Sequence, residues 1–288
     1  MSIRLGVIGH RGYEGLTDIL GLLVREAKGL GLALSFEEEL LQEVPGGAKL
    51  GRPDQLDALL TLGGDGTLLR GARYVGGNDT QIFGVNLGRL GFLTACGRDE
   101  FSTAIRTFAK GEHEVETRMA LSAASVDAEG VVGVKIRALN DVVVHKGGFA
   151  RVLRLRVFAD DELIGAFAAD GVVIATPTGS TAYSLSAYGP IVAPGLESLL
   201  ITPVAPHTLA LRPTILPPGV ALRVEIEDAP EDIVVTADGQ VGTRLAVGQS
   251  LTVHRSAHPV KLVRFPGSTF FTRLRAKLGW GGLADRDS

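Results

Sequence analysis

The sequence predicts an α/β domain up to about residue 98 and a largely β domain after it. Three observations carry that prediction. Strand-length apolar runs alternate with helical periodicity as far as Tyr74 and Ile82. Beyond Lys110 strand-like runs follow one another with turn residues between them. Two loops rich in glycine and hydroxyls, Gly63-Gly64-Asp65-Gly66-Thr67 and Asp170 to Tyr183, each join a short apolar run to a helix signal.

Ile3 to Ile8 reads as a buried strand. Leu16, Ile19, Leu20, Leu23, Val24 and Ala27 recur at helical spacing, with Gly29 closing the helix. Leu32 to Phe36 is a second strand. Leu41 to Gln55 carries Pro45, Gly46, Gly47, Gly51 and Pro53 and reads as a surface loop. Leu59 to Leu62 is a short strand entering the first glycine loop, Thr67 to Tyr74 a helix, and Ile82 to Val85 a strand. Alternation of this kind implies a parallel sheet flanked by helices. Phe101 to Lys110 is a further helix.

Strand-like runs then cover Leu121 to Val126, Val134 to Ala138, Asp141 to His145, Val152 to Ala159, Leu163 to Ala168 and Val172 to Ala175. Others cover Leu222 to Ile226, Ile233 to Ala237, Leu251 to His254 and Val260 to Phe265. Arg154 and Arg156 alternate with Leu153, Leu155 and Val157, the period of a half-buried strand. The domains expected are 1–98, 99–266, and a C-terminal helix and tail at 267–288 that packs back on the first domain, with the tail beyond Trp280 frayed.

Composition excludes several function classes. The chain has 288 residues, with 29 Lys plus Arg against 32 Asp plus Glu. A net charge of -3 gives no general pull toward nucleic acid or acidic membranes. The apolar runs stop well short of the roughly 18 residues a membrane helix needs, and no targeting pattern opens the chain. The single cysteine, Cys96, cannot form an internal disulfide and fits a reducing cytoplasm. Neither a Gly-x-x-x-x-Gly-Lys-Ser/Thr loop nor a Gly-x-Gly-x-x-Gly after the first strand occurs. The histidines and Cys96 have no metal-ligand spacing.

In the first loop, glycines let the backbone approach a phosphate, and a following helix aims free N–H groups at an anion. Asp65 is out of place in a loop that only binds phosphate, because it repels one. It suits a base or a Mg²⁺ ligand, with a turn and helix cap as the competing reading. In the second loop Thr176, Thr178, Ser180 and Thr181 offer hydroxyls for ribose and phosphate oxygens. Tyr183 can stack on a base, and Asp170 can accept from an amine or a ribose hydroxyl. The competing reading is a helix start rich in caps. Asn140 and Asp141 stand at the mouth of an apolar strand, where a plain turn is the simpler reading. Asp238-Gly239-Gln240 reads as a hairpin turn. His207, near Arg212-Pro213, reads as structural. Lys146 beside Gly147 either lies on a solvated face or meets a phosphate.

Taken in one order, these segments closely resemble NAD kinases over nearly the whole chain. The Gly-Gly-Asp-Gly-Thr loop is shared with lipid kinases and 6-phosphofructokinases. The run Asp170 to Pro190 is specific, as are Pro203 to Pro213 and Asp238 to Gln240. The resemblance implies a Rossmann-like N-terminal domain and a β-sandwich C-terminal domain. It implies transfer of the ATP γ-phosphoryl group, or a phosphoryl group of polyphosphate, to the 2′-hydroxyl of the adenosine ribose of NAD. Asp65 is then the base, with Gly63, Gly64, Gly66 and Thr67 cradling donor phosphates.

By the same resemblance, Asp65, Gly66, Phe92, Asn140, Asp141, Asp170, Thr178, Thr181, Ala182, Tyr183, Ser186 and Gln240 contact NAD, Asp141 holding a ribose. Mg²⁺ travels mainly on the nucleotide phosphates, with no protein metal site. The enzyme is a cytoplasmic homodimer or homotetramer with no nucleic-acid or membrane partner. Family members commonly have Glu where this chain has Asp141, and many have Arg at Lys146. The alternatives are a lipid or sugar kinase sharing the first loop and a non-catalytic NAD(H)- or NADPH-binding sensor.

Overall fold

A computed structural model describes residues 2–148, 152–208, 210–229, 233–267 and 269–280. In chain order the elements begin with β1 (Ile3–Gly9), α1 (Leu16–Ala27), β2 (Leu32–Phe36), β3 (Ala48–Lys49), β4 (Ala58–Gly63), α2 (Asp65–Val75) and β5 (Gln81–Asn86). Then come β6 (Cys96–Gly97), α3 (Phe101–Ala109), β7 (Glu114–Arg118), β8 (Leu121–Val126), β9 (Val132–Ala138), β10 (Asp141–Lys146), β11 (Leu153–Ala159), β12 (Glu162–Ala169) and β13 (Gly171–Ala175). The chain continues with α4 (Tyr183–Ser186), β14 (Leu199–Val204), β15 (Thr214–Leu216), β16 (Leu222–Asp228), β17 (Ile233–Ala237), β18 (Val241–Leu245), β19 (Ser250–Arg255), β20 (Val260–Arg264) and α5 (Phe270–Leu278).

Two compact units result: residues 1–117 with 260–288, and residues 118–259. The first runs past the expected boundary at 98, because α3 and β7 complete its layers. It also takes β20, which falls before the expected boundary at 266, because β20 pairs in parallel with β5 through Leu262 and Ile82. The expected fraying of the tail falls on 281–288, outside the described residues.

The first unit has one sheet in the order β3-β2-β1-β4-β5-β20-β7, with β6 beside β5. From β3 to β20 the pairings are parallel. Burial on both faces explains the near-continuous apolar runs of β1, β4 and β5. Strand order reverses between β1 and β4, which makes the carboxyl ends of those two strands a switch point, where open α/β sheets bind ligands. Leu5, Val7, Leu60, Leu62, Phe83 and Val85 share one core with Leu20 and Leu23 of α1 and Phe101 and Phe108 of α3.

The second unit is a sandwich of two six-stranded sheets, β15-β14-β13-β10-β17-β18 and β12-β11-β16-β19-β8-β9. Val142, Val144, Val172 and Ile174 of the first sheet pack with Leu121, Ala123, Leu155, Val157, Val224 and Val253 of the second. Alternate residues of β10 and β13, Val143 and Val173, form a smaller cluster on the outer face with Val192 and Leu200.

Three local expectations are corrected. The 41–55 segment holds the short edge strand β3, paired with Ser35 and Phe36, and a 3₁₀ turn at Pro53–Gln55. Helix α2 begins at Asp65 and not at Thr67, since Gly64 accepts from the N–H groups of Thr67 and Leu68. β14 goes unpredicted because of Pro203. That residue lies beyond Ile201, the last residue β15 pairs, so no ladder bond to β15 is lost. Strands β7, β15 and β18 are also additions to the expected set.

Candidate functional site

In the first unit, β4 delivers its last residue, Gly63, to the switch point, and Gly64 turns the chain into α2. Asp65 is therefore in the first helical turn, where the macrodipole favours a carboxylate. Its two oxygens accept from successive amides: Oδ2 from Phe92 N at 2.8 Å and Oδ1 from Leu93 N at 2.9 Å. A carboxylate has about four lone-pair sites, so capacity remains on both oxygens. Gly91 is required here, because a Cβ on it would run into the Asp65 carboxylate. Gly66 is exposed and Thr67 buried. Gly63 and Thr67 are in close contact.

The Phe92 segment is braced from its carbonyl side by two buried arginines. Arg273 Nη1 donates to Phe92 O at 2.7 Å, and Arg264 Nη1 to Leu93 O at 2.6 Å. Arg264 Nε also meets Glu116 at 2.7 Å. Lys277 Nζ lies 3.8 Å from Asp65 Oδ2 and 4.7 Å from the centre of the Phe92 ring. These three cations were not singled out from the sequence. Arg264 lies in an apolar strand and the other two on a short terminal helix, and no local motif marks their partners.

In the second unit the ends of three central strands of one sheet bring three segments together. β10 starts where β13 and β17 end, with Asp141 opposite Ala175 and Val142 opposite Ala237. Asn140–Asp141, Thr176–Tyr183 and Asp238–Gln240 thus converge. Asp238 and Gly239 both have positive φ, 52° and 64°, and Gln240 N donates to Ala237 O at 3.0 Å. This is the expected tight hairpin.

The hairpin does more than reverse the chain. Asp238 accepts from Leu139 N at 3.0 Å, Asn140 N at 2.7 Å and Asp141 N at 3.3 Å. The sequence reading missed this role. Gly179 sits so close to the Asn140 carbonyl that a Cβ there would collide with backbone.

A cavity of about 590 Å³ runs over the outer face of β10. Asn140, Asp141, Asp170, Ala182 and Tyr183 line it, all foreseen, and His145, Thr236 and Asp238 are added. Lys146 Nζ meets Asp170 Oδ1 at 2.6 Å. Asp141 is 4 % exposed. Burial, then the nearby charge of Asp238, pushes its carboxyl up to about 7, against the opposing N–H of Tyr183.

The second loop's hydroxyls mostly bond within the loop and its neighbours, as the helix-cap reading allows for Thr176 and Ser180. Thr176 Oγ1 donates to Leu139 O at 2.6 Å, and Ser180 Oγ to Pro177 O at 2.6 Å. Both residues are fully buried. Thr178 is buried and accepts from Arg118 at 3.2 Å, and Thr181 Oγ1 donates to Thr178 O at 3.2 Å. Ser186 and Gln240 are exposed and outside the cavity lining.

An acidic glycine loop at a parallel sheet's switch point, carried with a sandwich that has a cavity over the ends of its central strands, marks an α/β-plus-β protein. The ATP-NAD kinase N-terminal domain family matches residues 48–113 and the C-terminal domain family residues 139–265. A NAD kinase of Gemmatimonas aurantiaca is 53% identical over 99% of both chains. One from Syntrophotalea carbinolica is 42% identical over 96% of this chain and 99% of its own. The chain belongs to the NAD kinase family.

Among solved structures, an Archaeoglobus fulgidus NAD kinase in complex with ATP is 26% identical, with a TM-score of 0.73 over 96% of this chain and 98% of that one. A yeast NADH kinase complexed with NADH, 24% identical, shares the fold, with a TM-score of 0.89 over 98% of this chain and 89% of that one.

Proposed function

We propose that the chain transfers the γ-phosphoryl group of ATP to the 2′-hydroxyl of the adenosine ribose of NAD, giving NADP, with Asp65 as the base. The observation that carries the residue assignment is the carboxylate of Asp65, fixed through both oxygens at the head of α2 with lone pairs to spare. As the ribose oxygen bonds to the γ-phosphorus, its proton passes to Asp65. The bond from that phosphorus to the β,γ-bridging oxygen breaks, and ADP leaves. Little covalent help is needed, so positioning and charge neutralisation do most of the work.

Gly63, Gly64, Gly66 and Thr67 form the loop that would cradle the donor phosphates at the head of α2, with the Thr67 N–H itself held by Gly64 O. Gly66 and Phe92 flank Asp65 on the acceptor side. Asn140, Asp141, Asp170, Ala182 and Tyr183 hold NAD in the cavity they line. Thr181, Ser186 and Gln240 are assigned to NAD by the family resemblance alone, and Thr178, which accepts from Arg118, supports the loop. Lys146 orients Asp170 through their ion pair. Among the described residues no group of three or more His, Cys, Asp or Glu is disposed to hold a metal ion. Mg²⁺ carried on the donor phosphates would supply charge neutralisation there.

Among the described residues no helix is long and apolar enough to cross a membrane. Residence in the cytoplasm fits the single cysteine, and sedimentation would test assembly into a dimer or tetramer. The test of the reaction is NADP formation from NAD and Mg-ATP or Mg-polyphosphate. Tight NAD binding without turnover on any donor would move the chain to the sensor class.

A further inference from the structure

Asp65 poses an electrostatic problem. A carboxylate stands in the middle of the loop proposed to receive a highly anionic donor, and like charges a few ångströms apart repel strongly where water is excluded. The N–H groups at the head of α2 offset part of that, but they share their space with Asp65 itself. The compensating charge comes from the far end of the sequence.

We propose that Lys277 is a phosphate ligand for the donor and the charge partner of Asp65. This inference rests on the kinase reading above. Lys277 Nζ is 3.8 Å from Asp65 Oδ2, inside ion-pair range yet longer than a hydrogen bond. Its three N–H donors are therefore not committed to the carboxylate.

The side chain is 36% exposed, and its ammonium sits 4.7 Å from the centre of the Phe92 ring, which confines the long stem. Arg273, one helical turn earlier on the same face, is 5% exposed and fastened to Phe92 O. That anchor fixes the helix beneath Lys277. Thr269 caps the helix start by accepting from Thr272 N at 3.2 Å, and Gly279, with φ 68°, ends it. Lys277 thus lies in the last turn, where the macrodipole favours a cation.

The experiment uses the full-length enzyme with Lys277→Ala and Lys277→Arg. Kinetics with NAD and Mg-ATP are paired with calorimetric binding of Mg-ATP alone and with thermal melts. In Lys277→Ala the KM and Kd for Mg-ATP should rise roughly 10–100-fold, the loss of a charge-assisted contact. The KM for NAD and the melting temperature should stay where they are. Lys277→Arg should recover part of the loss, since charge is kept while the point-like ammonium is not.

Unchanged Mg-ATP affinity in Lys277→Ala would overturn the proposal, as would a parallel loss of NAD affinity and melting temperature. Wild-type enzyme that binds Mg-ATP through Lys277 but makes no NADP would leave the proposal standing and bring down the kinase reading.

Discussion

The carboxylate of Asp238 accepts the amide N–H of Asn140 at 2.7 Å, joining a hairpin turn to a strand start far earlier in the chain. Leu139 and Asp141 add their amides to the same side chain. Asp238→Ala leaves these donors without their acceptor and should cost about 1–3 kcal/mol of stability, read by urea unfolding. Because Asn140 and Asp141 line the cavity, NAD affinity should fall as well. Wild-type stability and affinity in the variant would show that the clamp holds nothing.

Asp141 makes stability depend on pH in an unusual direction for an aspartate. Its carboxyl is raised from 3.8 to about 7, so the folded chain holds a proton that the unfolded chain releases. The associated stability is fully present below pH 3.8 and is lost as pH rises through about 7. Across that window Asp141→Asn should flatten the decline of melting temperature with pH. Asp238→Asn, which removes the nearby charge, should move the wild-type midpoint downward. An unaltered pH profile in Asp141→Asn would count against the buried proton.

Asp65→Asn keeps the size of the side chain and removes its basicity. Turnover should fall at least ~10²-fold with little loss of NAD affinity. Near-normal turnover would remove Asp65 from its role.

Gly91→Ala tests placement and not chemistry. The added methyl would displace the Asp65 carboxylate from the Phe92 and Leu93 amides while leaving the residue in place. A shift of about 1 Å at a reacting group can cost on the order of 10²-fold in rate. The variant should retain cooperative unfolding with kcat reduced. Full activity would mean that the amide grip on Asp65 is dispensable.

Much of the fold was legible because it is local. The apolar runs of β1, β4, β5, β10 and β13 and the spacing of α1 and α3 announce themselves within a few residues. So do the two glycine loops and the Asp238-Gly239 turn. The start of α2 was misplaced because Gly66 is a poor helix former and the helix is set by packing instead. β14 was hidden by Pro203. The site's supports were illegible for a different reason: Asp238, Arg264, Arg273 and Lys277 act on segments distant in sequence. Only the folded chain reveals that Thr176 and Ser180 spend their hydroxyls on their own loop.

The place of β20 bears on the order in which the protein can be completed during synthesis. It lies between β5 and β7 in the sheet, yet almost the whole chain is made before it. Residues 118–259 form a continuous unit that can close as soon as it leaves the ribosome. The first sheet must meanwhile wait with the β5 edge unfilled beside it, a state that invites pairing with other chains. A polypeptide released before Val260 would therefore carry a finished second unit and a first unit with a gap in its sheet.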